Sequence, residues 1–451
     1  MKLVLIKPNI GRREHSLYVD EGRMEPLQLG ILAALTPRDI EVVMYDDRME
    51  EIPYDEPADL VAITVETFTA RRAYEIGREY QKRGVTTVMG GMHVMLTPEE
   101  VKKHADAIII GDAENVWREM LQDFVKNELK KEYRAEQPLI PQKGVITRRD
   151  IFEGKGYLPI TLLQFSRGCK YYCNFCASSA YFRGKHFCRE VNEVVEEIKS
   201  QKRKLLFFVD DNIVSDFEKA KELFRALIPL KVKWVSQGSI DMLEDMELME
   251  LMVKSGCLGL VIGFESINEE NLVAAAKGAN KRRALDNYKK EIKELRRWGL
   301  QTWAAFTLGY DGDTRESIKE TCRFAIRNKF CFAAYNILMP YPNTPLYKKL
   351  KKEGRLLYEG KWWLHEEYRF NHASFIPKNM SAVELTEVSF WCRKVFNSPW
   401  SIFKRALEPK TNMRTLYRFF TYLIYNPLFR KEVFKKQGMR FGFTEGKKAN
   451  G

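Results

Sequence analysis

The sequence has no apolar run that could cross a bilayer. Its longest apolar stretches, such as Leu423–Ile424 with its aromatic neighbours, fall far short of the roughly 20 residues that a transmembrane helix requires. The chain also lacks a basic segment followed by a cleavage site at its N-terminus, where Lys2–Ile6 enters a strand pattern at once. A cytoplasmic location is therefore expected.

A disulfide framework is missing as well. The 451 residues include 8 cysteines at irregular spacings, which in a large chain without an export signal favours metal binding or catalysis. Three of the cysteines form a cluster. The other five have no ligand spacing and are expected to be buried thiols: Cys188, Cys257, Cys322, Cys331 and Cys392.

The chain has fewer acidic than basic residues, and the net charge of +13 is unevenly distributed. From Ser401 onward there are twelve Lys or Arg and three Asp or Glu, so the end of the chain is strongly basic. A basic tail can contact the phosphates of nucleic acid or of lipid head groups. No nucleic-acid-binding module is recognisable, so nucleic acid is not the favoured partner.

The basic segment contains one apolar helical face, formed by Leu416, Phe420, Leu423 and Ile424. Arg414 and Arg418 would point away from it. Two interpretations stay open. The face either lies on an anionic membrane surface, which makes the protein membrane-associated, or packs on the preceding domain and leaves a solvated basic side.

Residues 1–125 alternate short β-rich runs with helical stretches, a pattern typical of a doubly wound parallel sheet. We expect a Rossmann-like α/β domain over residues 1–135. Residues 136–155 are expected to be a linker. In such a sheet a ligand binds beyond the carboxyl ends of the strands.

A second alternating series begins at Ile160 and contains six βα repeats. It predicts a partial, TIM-like (β/α)6 barrel over residues 156–352, with its chemistry at the carboxyl ends of the strands. Residues 353–451 are basic and aromatic, and we expect them to be mainly helical.

Cys169, Cys173 and Cys176 follow the first predicted barrel strand with the spacing C-x3-C-x2-C. Three thiolates on one loop can hold three irons of a [4Fe–4S] cluster and leave the fourth iron open to a small ligand. The alternative is a zinc-stabilised ligand-binding protein in which His186 or Cys188 is the fourth ligand.

The motif resembles that of the radical S-adenosylmethionine (SAM) superfamily, in which the open iron binds SAM. The resemblance implies that an electron from the cluster cleaves SAM and produces a 5′-deoxyadenosyl radical. Segments at later predicted strand ends resemble further motifs of this superfamily: Phe208–Asn212, Gln237 and Gly263–Ser266. This resemblance implies that four residues contact SAM: Asp210, Gln237, Glu265 and Ser266. Two further segments resemble the fifth and sixth strand motifs, with Asn343 in place of a glycine: 306–314 and 340–346.

The N-terminal domain resembles the cobalamin-binding domain that precedes the barrel in one class of this superfamily. Gly90 and Gly91 lack side chains and would let a large planar ligand approach the backbone. Arg48 occupies the histidine position of the D-x-H-x-x-G motif, and a guanidinium cannot coordinate cobalt. Either cobalamin binds without a histidine ligand to cobalt or the domain has lost the cofactor, and His93 is expected to make a backbone hydrogen bond in a turn.

The resemblance implies a cobalamin-dependent radical SAM methyltransferase that acts on an unactivated carbon of a small or lipid-like substrate. An electron donor such as ferredoxin or flavodoxin would reduce the cluster. The alternative within this superfamily is a cyclisation or rearrangement without methyl transfer.

Overall fold

The computed structural model describes residues 1–11, 22–135, 140–276, 278 and 285–442. The chain divides into two compact units that do not follow chain order. The first unit comprises Met1–Tyr157, Leu357–Phe370 and Lys435–Gly451, and the second comprises Leu158–Leu356 and Asn371–Phe434. The domain boundaries expected from the sequence stay predictions. Parts of these predicted segments lie outside the described residues, namely 12–21, 136–139, 277, 279–284 and 443–451.

The first unit contains a six-stranded parallel sheet. Its strands are β1 (Lys2–Lys7), β2 (Glu41–Asp46), β3 (Leu60–Thr64), β4 (Thr86–Gly90), β5 (Ala107–Ile110) and β6 (Glu132–Arg134). Their spatial order is β2-β1-β3-β4-β5-β6, and all neighbouring strands are parallel. The strand order reverses between β1 and β3, and a doubly wound sheet binds ligands beyond the carboxyl ends at such a point. The predicted Rossmann-like sheet is confirmed, with β6 as an additional strand.

Five helices accompany this sheet: α1 (Leu27–Leu35), α2 (Ala70–Lys82), α3 (Met92–Leu96), α4 (Pro98–Val101) and α5 (Trp117–Val125). β1 and β3 are buried along almost their whole length. This burial explains why their sequences are continuous apolar runs without alternation.

The second unit contains a six-stranded parallel sheet and a small hairpin. Its strands are β7 (Thr161–Leu163), β8 (Ser166–Gly168), β9 (His186–Cys188), β10 (Leu205–Phe208), β11 (Lys233–Gly238), β12 (Cys257–Glu265), β13 (Gln301–Leu308) and β14 (Phe332–Ile337). The large sheet has the order β14-β13-β12-β11-β10-β7, whereas β8 and β9 form an antiparallel pair. Consecutive parallel strands in this order confirm the predicted partial (β/α)6 barrel.

The helices of the second unit are α6 (Ala177–Phe182), α7 (Val191–Lys199), α8 (Phe217–Leu227), α9 (Met246–Lys254), α10 (Glu269–Ala274), α11 (Leu285–Trp298), α12 (Arg315–Arg327), α13 (Pro345–Lys352), α14 (Ala382–Phe396), α15 (Pro399–Ala406) and α16 (Leu416–Lys436). The last three confirm a mainly helical C-terminal region. Across the described residues, we find no helix with both the length and the apolar character that a membrane span requires.

Two glycines of the second unit have left-handed backbone conformations but different surroundings. Gly256 lies before β12 with φ of +99°, and a Cβ there would be 2.1 Å from the carbonyl oxygen of Val232. Gly354 follows α13 with φ of +65°, and a Cβ there would meet nothing within 4 Å. The close approach of two chain segments therefore excludes a side chain at Gly256.

We expect Gly256→Ala to lower the free energy of unfolding by about 3 kcal/mol or more, and Gly354→Ala by about 1 kcal/mol. Both variants place alanine at positive φ, so the difference between them measures the steric clash. Thermal melting of the anaerobically purified full-length protein tests this. Equal shifts of the melting temperature would contradict the close approach at Gly256.

Candidate functional site

The three cysteines of the motif lie between β8 and α6, at the carboxyl end of the first barrel strand. Cys173 is buried, whereas Cys169 and Cys176 are half-buried, and none of the three forms a disulfide. This loop therefore brings three soft sulfur ligands to the edge where β/α barrels perform chemistry. The donor set fits a [4Fe–4S] cluster.

Polar residues that follow β10 hold this loop in place. The carboxylate of Asp211 accepts hydrogen bonds from the backbone N–H of Gly168 at 2.8 Å and from the hydroxyl of Ser178 at 2.6 Å. The hydroxyl of Ser215 accepts a bond from the N–H of Lys170 at 2.8 Å. The segment that resembles a SAM-binding motif therefore also fixes the backbone around the cysteines.

Asn212 contacts one of the cysteines directly. Its Nδ2 lies 3.5 Å from Sγ of Cys169 and 3.0 Å from the hydroxyl oxygen of Ser239. An amide that donates to a thiolate stabilises its negative charge and tunes the cluster. Asp211 and Asn212 were not among the predicted site residues. The run of three polar residues at a strand end was the signal that could have identified them.

Asp210 is fully buried beside the start of this loop. Its carboxylate accepts hydrogen bonds from the N–H of Phe165 at 2.9 Å, the N–H of Ser166 at 2.8 Å and the hydroxyl of Ser166 at 2.6 Å. Burial raises the pKa of Asp210 to about 7, against the opposing effect of these donors. The geometry gives Asp210 a positioning role. Its contact with SAM stays a prediction.

The other residues predicted to contact SAM lie at the carboxyl ends of two strands, β11 and β12. Gln237 is exposed at the end of β11, and its Nε2 donates to the backbone carbonyl of Asp210 at 3.3 Å. Glu265 ends β12, and its Oε2 accepts a bond from the hydroxyl of Thr307 at 2.5 Å. Ser266 uses its hydroxyl to accept the N–H of Asn268 at 3.0 Å. The structure thus joins Gln237 to the cysteine loop through Asp210.

The backbone of Glu265 is unusual for a glutamate. It has a φ of +62°, and the pairing of β12 with β13 changes register between Gly263 and Glu265. Backbone strain of this kind persists where the surrounding structure enforces it, and it is common at functional sites. Asn343 also has a φ of +62°, which agrees with asparagine replacing a glycine there.

The zinc alternative finds little support in the geometry. Burial raises the pKa of the Cys188 thiol to about 12. Among the described residues, no three His, Cys, Asp or Glu side chains gather around a position for a single metal ion. Thiolates on separate irons of a cluster need no such convergence.

The two predicted ligand-binding glycines of the first unit, Gly90 and Gly91, have different surroundings. Gly91 has a φ of +115°, and a Cβ there would lie 2.8 Å from the carbonyl oxygen of Val65. At Gly90 a Cβ would meet Ile109 at an ordinary 3.7 Å. Packing within the protein therefore requires glycine at position 91 but not at position 90. Because packing does not require glycine at position 90, a glycine there fits the close approach of a ligand.

The guanidinium of Arg48, which cannot coordinate a metal, is hydrogen-bonded within the first unit. Its Nε and Nη2 bind the two carboxylate oxygens of Asp46 at 2.9 and 2.7 Å, and Nη2 also donates to the carbonyl of Met24. Burial opposes the ionised form of Asp46, but the Arg48 hydrogen bond keeps its pKa below the usual value. The hydroxyl of Tyr157 completes the group with a bond of 2.8 Å to Asp46.

His93 lies in the interior of the first unit and not in an open turn. It is fully buried, and its ring nitrogens contact the hydroxyl of Thr67 at 3.3 Å and the carboxylate of Glu100 at 3.3 Å. Glu100 also accepts a bond of 2.8 Å from Nε1 of Trp363. With Arg48 and His93 both engaged, the residues fit a cobalamin held without a histidine ligand to cobalt.

A partial barrel with three thiols after its first strand defines an iron–sulfur enzyme that keeps one iron open for a small ligand. Two family models identify the class of iron–sulfur enzyme. The model of the radical SAM superfamily matches residues 163–325, and that of the B12 binding domain matches residues 19–121. The chain belongs to the radical SAM superfamily, in the class that carries a B12 binding domain. The predicted cofactors, a [4Fe–4S] cluster, SAM and cobalamin, are those of this class.

Two relatives extend the similarity over most of the chain. Bacteriochlorophyllide d C-12(1)-methyltransferase of Chlorobaculum tepidum is 30% identical over 401 residues, which cover 86% of this chain and 85% of that protein. Bacteriochlorophyllide d C-8(2)-methyltransferase of the same organism is 30% identical over 366 residues, which cover 75% and 80%. The relationship therefore includes both family domains.

A solved structure shows the same fold. The radical SAM methyltransferase TsrM from Kitasatospora setae, determined with cobalamin and a [4Fe–4S] cluster, has a TM-score of 0.61 and 16% identity to this chain. The match covers 78% of each chain. It supports the arrangement of a sheet domain followed by a partial barrel.

We expect Asp210→Asn to lower the iron and sulfide content of the reconstituted protein and its melting temperature. Asparagine presents an NH₂ donor where the carboxylate accepts loop hydrogen bonds, and each unsatisfied donor costs about 1–3 kcal/mol. Iron and sulfide analysis after anaerobic reconstitution measures the effect. Asp216→Asn is the control, because Asp216 is exposed and asparagine can still cap α8. Full cluster content in Asp210→Asn would refute the positioning role.

Proposed function

We propose that this protein is a cobalamin-dependent radical SAM methyltransferase that methylates an unactivated carbon of a small or lipid-like molecule. The observation that carries the proposal is the loop with Cys169, Cys173 and Cys176, anchored by the segment 210–212, in a chain that also has a B12 binding domain. The cofactors supply the radical and the methyl group. Both relatives are named as methyltransferases, which supports methylation over cyclisation or rearrangement.

The residues of this chain have separate tasks in the proposal. Cys169, Cys173 and Cys176 hold the cluster, and Asp210 positions their loop through the backbone of β8. Gln237, Glu265 and Ser266 face SAM, and the exposed side chain of Gln237 and the left-handed backbone of Glu265 support this assignment. Gly90 and Gly91 form the edge that cobalamin approaches.

The partners belong to the same proposal. A one-electron donor such as ferredoxin or flavodoxin reduces the cluster. A cytoplasmic location agrees with eight cysteines that form no disulfide, since reducing compartments keep cysteines in the thiol form. Peripheral contact with a membrane through the basic C-terminal region would give access to a lipid-like substrate.

We expect Cys173→Ala to abolish the production of 5′-deoxyadenosine from SAM and dithionite, because one iron of the cluster loses its ligand. Cys188→Ala should retain both the cluster absorbance and this activity. The pair also separates the proposal from a zinc site, in which Cys188 would be needed. Wild-type protein that purifies anaerobically without iron would contradict the assignment.

Methylation is tested separately from SAM cleavage. With methyl-labelled SAM, bound cobalamin and dithionite to reduce the cobalt, we expect label to appear in the protein-bound cobalamin before any substrate is added. A cyclase or rearrangement enzyme would produce 5′-deoxyadenosine without this transfer. Unlabelled cobalamin in an active preparation would therefore favour the alternative.

A further inference from the structure

Helix α16 exposes its apolar face. Leu416, Phe420, Leu423 and Ile424 are 76%, 58%, 40% and 63% exposed. Their spacing places them on one side of the helix. The interpretation that this face packs on the barrel is therefore wrong, and the apolar side chains lie in solvent in the described structure.

The opposite face of α16 is polar and buried. The guanidinium of Arg418 donates to the backbone carbonyls of Gly299 and Cys257. The hydroxyl of Tyr422 donates to the carbonyl of Ile402 at 2.8 Å, and Asn426 is fully buried. These bonds fix the rotation of the helix, because turning the apolar face inward would leave buried carbonyls without donors.

The preceding helix adds to the exposed apolar surface. Trp400 and Phe403 of α15 are 71% and 56% exposed, and their rings stack with centroids 6.0 Å apart. Leu407 and Met413, between the two helices, are also exposed. The bond from Tyr422 to Ile402 joins α16 to α15. Both helices thus carry exposed large apolar side chains, and the buried residues Ile402, Ala406 and Tyr422 connect the two helices.

The exposed charges of this segment have one sign. Within residues 399–434, all of which the structure describes, the exposed charged residues are Lys404, Lys410, Arg414 and Lys431. Glu408 is buried and Glu432 is partly buried. Exposed apolar side chains among cations match an anionic lipid surface, where apolar groups enter the head-group region and cations contact phosphates.

We propose that the α15–α16 surface docks on an anionic lipid bilayer. This surface consists of Trp400, Phe403, Leu407, Met413, Leu416, Phe420, Leu423 and Ile424, with Lys404, Lys410 and Arg414. Aromatic rings suit the boundary between lipid tails and head groups, since they combine apolar area with polarisable edges.

A second copy of the chain is a poorer occupant of this surface. A two-fold interface brings the same patch of both subunits together, so the cations of one copy would face those of the other. Juxtaposed like charges are costly. An anionic bilayer instead offers charges of the opposite sign over an unlimited area.

The test measures binding of the full-length protein to vesicles by co-sedimentation. We expect binding to phosphatidylcholine vesicles that contain about one third phosphatidylglycerol, and weaker binding to phosphatidylcholine alone. The triple variant Leu416→Ser, Phe420→Ser and Ile424→Ser should reduce the vesicle partition coefficient roughly tenfold or more, since it removes apolar contacts with lipid.

The matched control replaces exposed apolar residues elsewhere in the same unit: Met246→Ser, Val273→Ser and Val383→Ser, at side chains 66%, 54% and 67% exposed. It should bind vesicles as the wild type does. A second variant, Lys404→Gln with Lys410→Gln, should weaken binding to anionic vesicles and leave binding to neutral ones unchanged. This variant keeps the test decisive if the triple variant fails to fold.

Three outcomes would overturn the proposal: no wild-type binding to anionic vesicles, equal losses in the triple variant and its control, or a concentration-dependent dimer that the triple variant abolishes in analytical ultracentrifugation. SAM cleavage should be unchanged in the folded triple variant. A wild-type protein that cleaves SAM but does not bind vesicles would count against this proposal alone. A wild-type protein that binds vesicles but does not cleave SAM would count against the proposed methyltransferase function alone.

Discussion

The hydrogen bonds that anchor the cysteine loop are the constraint on which the rest of this structure depends. Hydrogen bonds from neighbouring elements fix the backbone of this loop at Gly168 and Lys170. Asp210 and Asp211, which follow β10, accept hydrogen bonds from the backbone N–H groups of the first and last residues of β8, Ser166 and Gly168. A buried carboxylate is costly, and the bonds to Asp210 compensate for that burial. The barrel therefore supplies the rigidity that an iron–sulfur site needs.

In the first unit, too, hydrogen bonds within the protein hold the polar side chains near the strand ends. Charged and polar side chains there are paired within the protein, as Arg48 with Asp46 and His93 with Glu100. Each pair removes a residue that could have coordinated a metal. What the edge presents instead is backbone without side chains at Gly90 and Gly91. Such an edge suits a large ligand that is recognised by shape and hydrogen bonds rather than by a coordinate bond.

Much of the fold was predictable because parallel strands are buried on both faces and read as apolar runs. β1, β3 and β5 are of this kind, whereas barrel strands such as β11 and β13 alternate buried with less buried positions and were predicted from the alternation of strands with helices. β6 was missed because it is an edge strand with the charged residues Glu132 and Arg134. The return of Leu357–Phe370 to the first unit was also missed, since its packing with Phe68 involves partners far apart in sequence.

The sequence by itself determined the chemistry of the site, because the spacing of Cys169, Cys173 and Cys176 is a local property of a short loop. It also determined that Arg48 cannot bind cobalt. The tertiary structure alone decided that Asp210 faces this loop and that α16 directs its apolar side outward. Both depend on hydrogen bonds to backbone groups of distant segments, such as those of Arg418 to Gly299 and Cys257. Periodicity along one helix shows that it has two faces, but the available partners decide which face is buried.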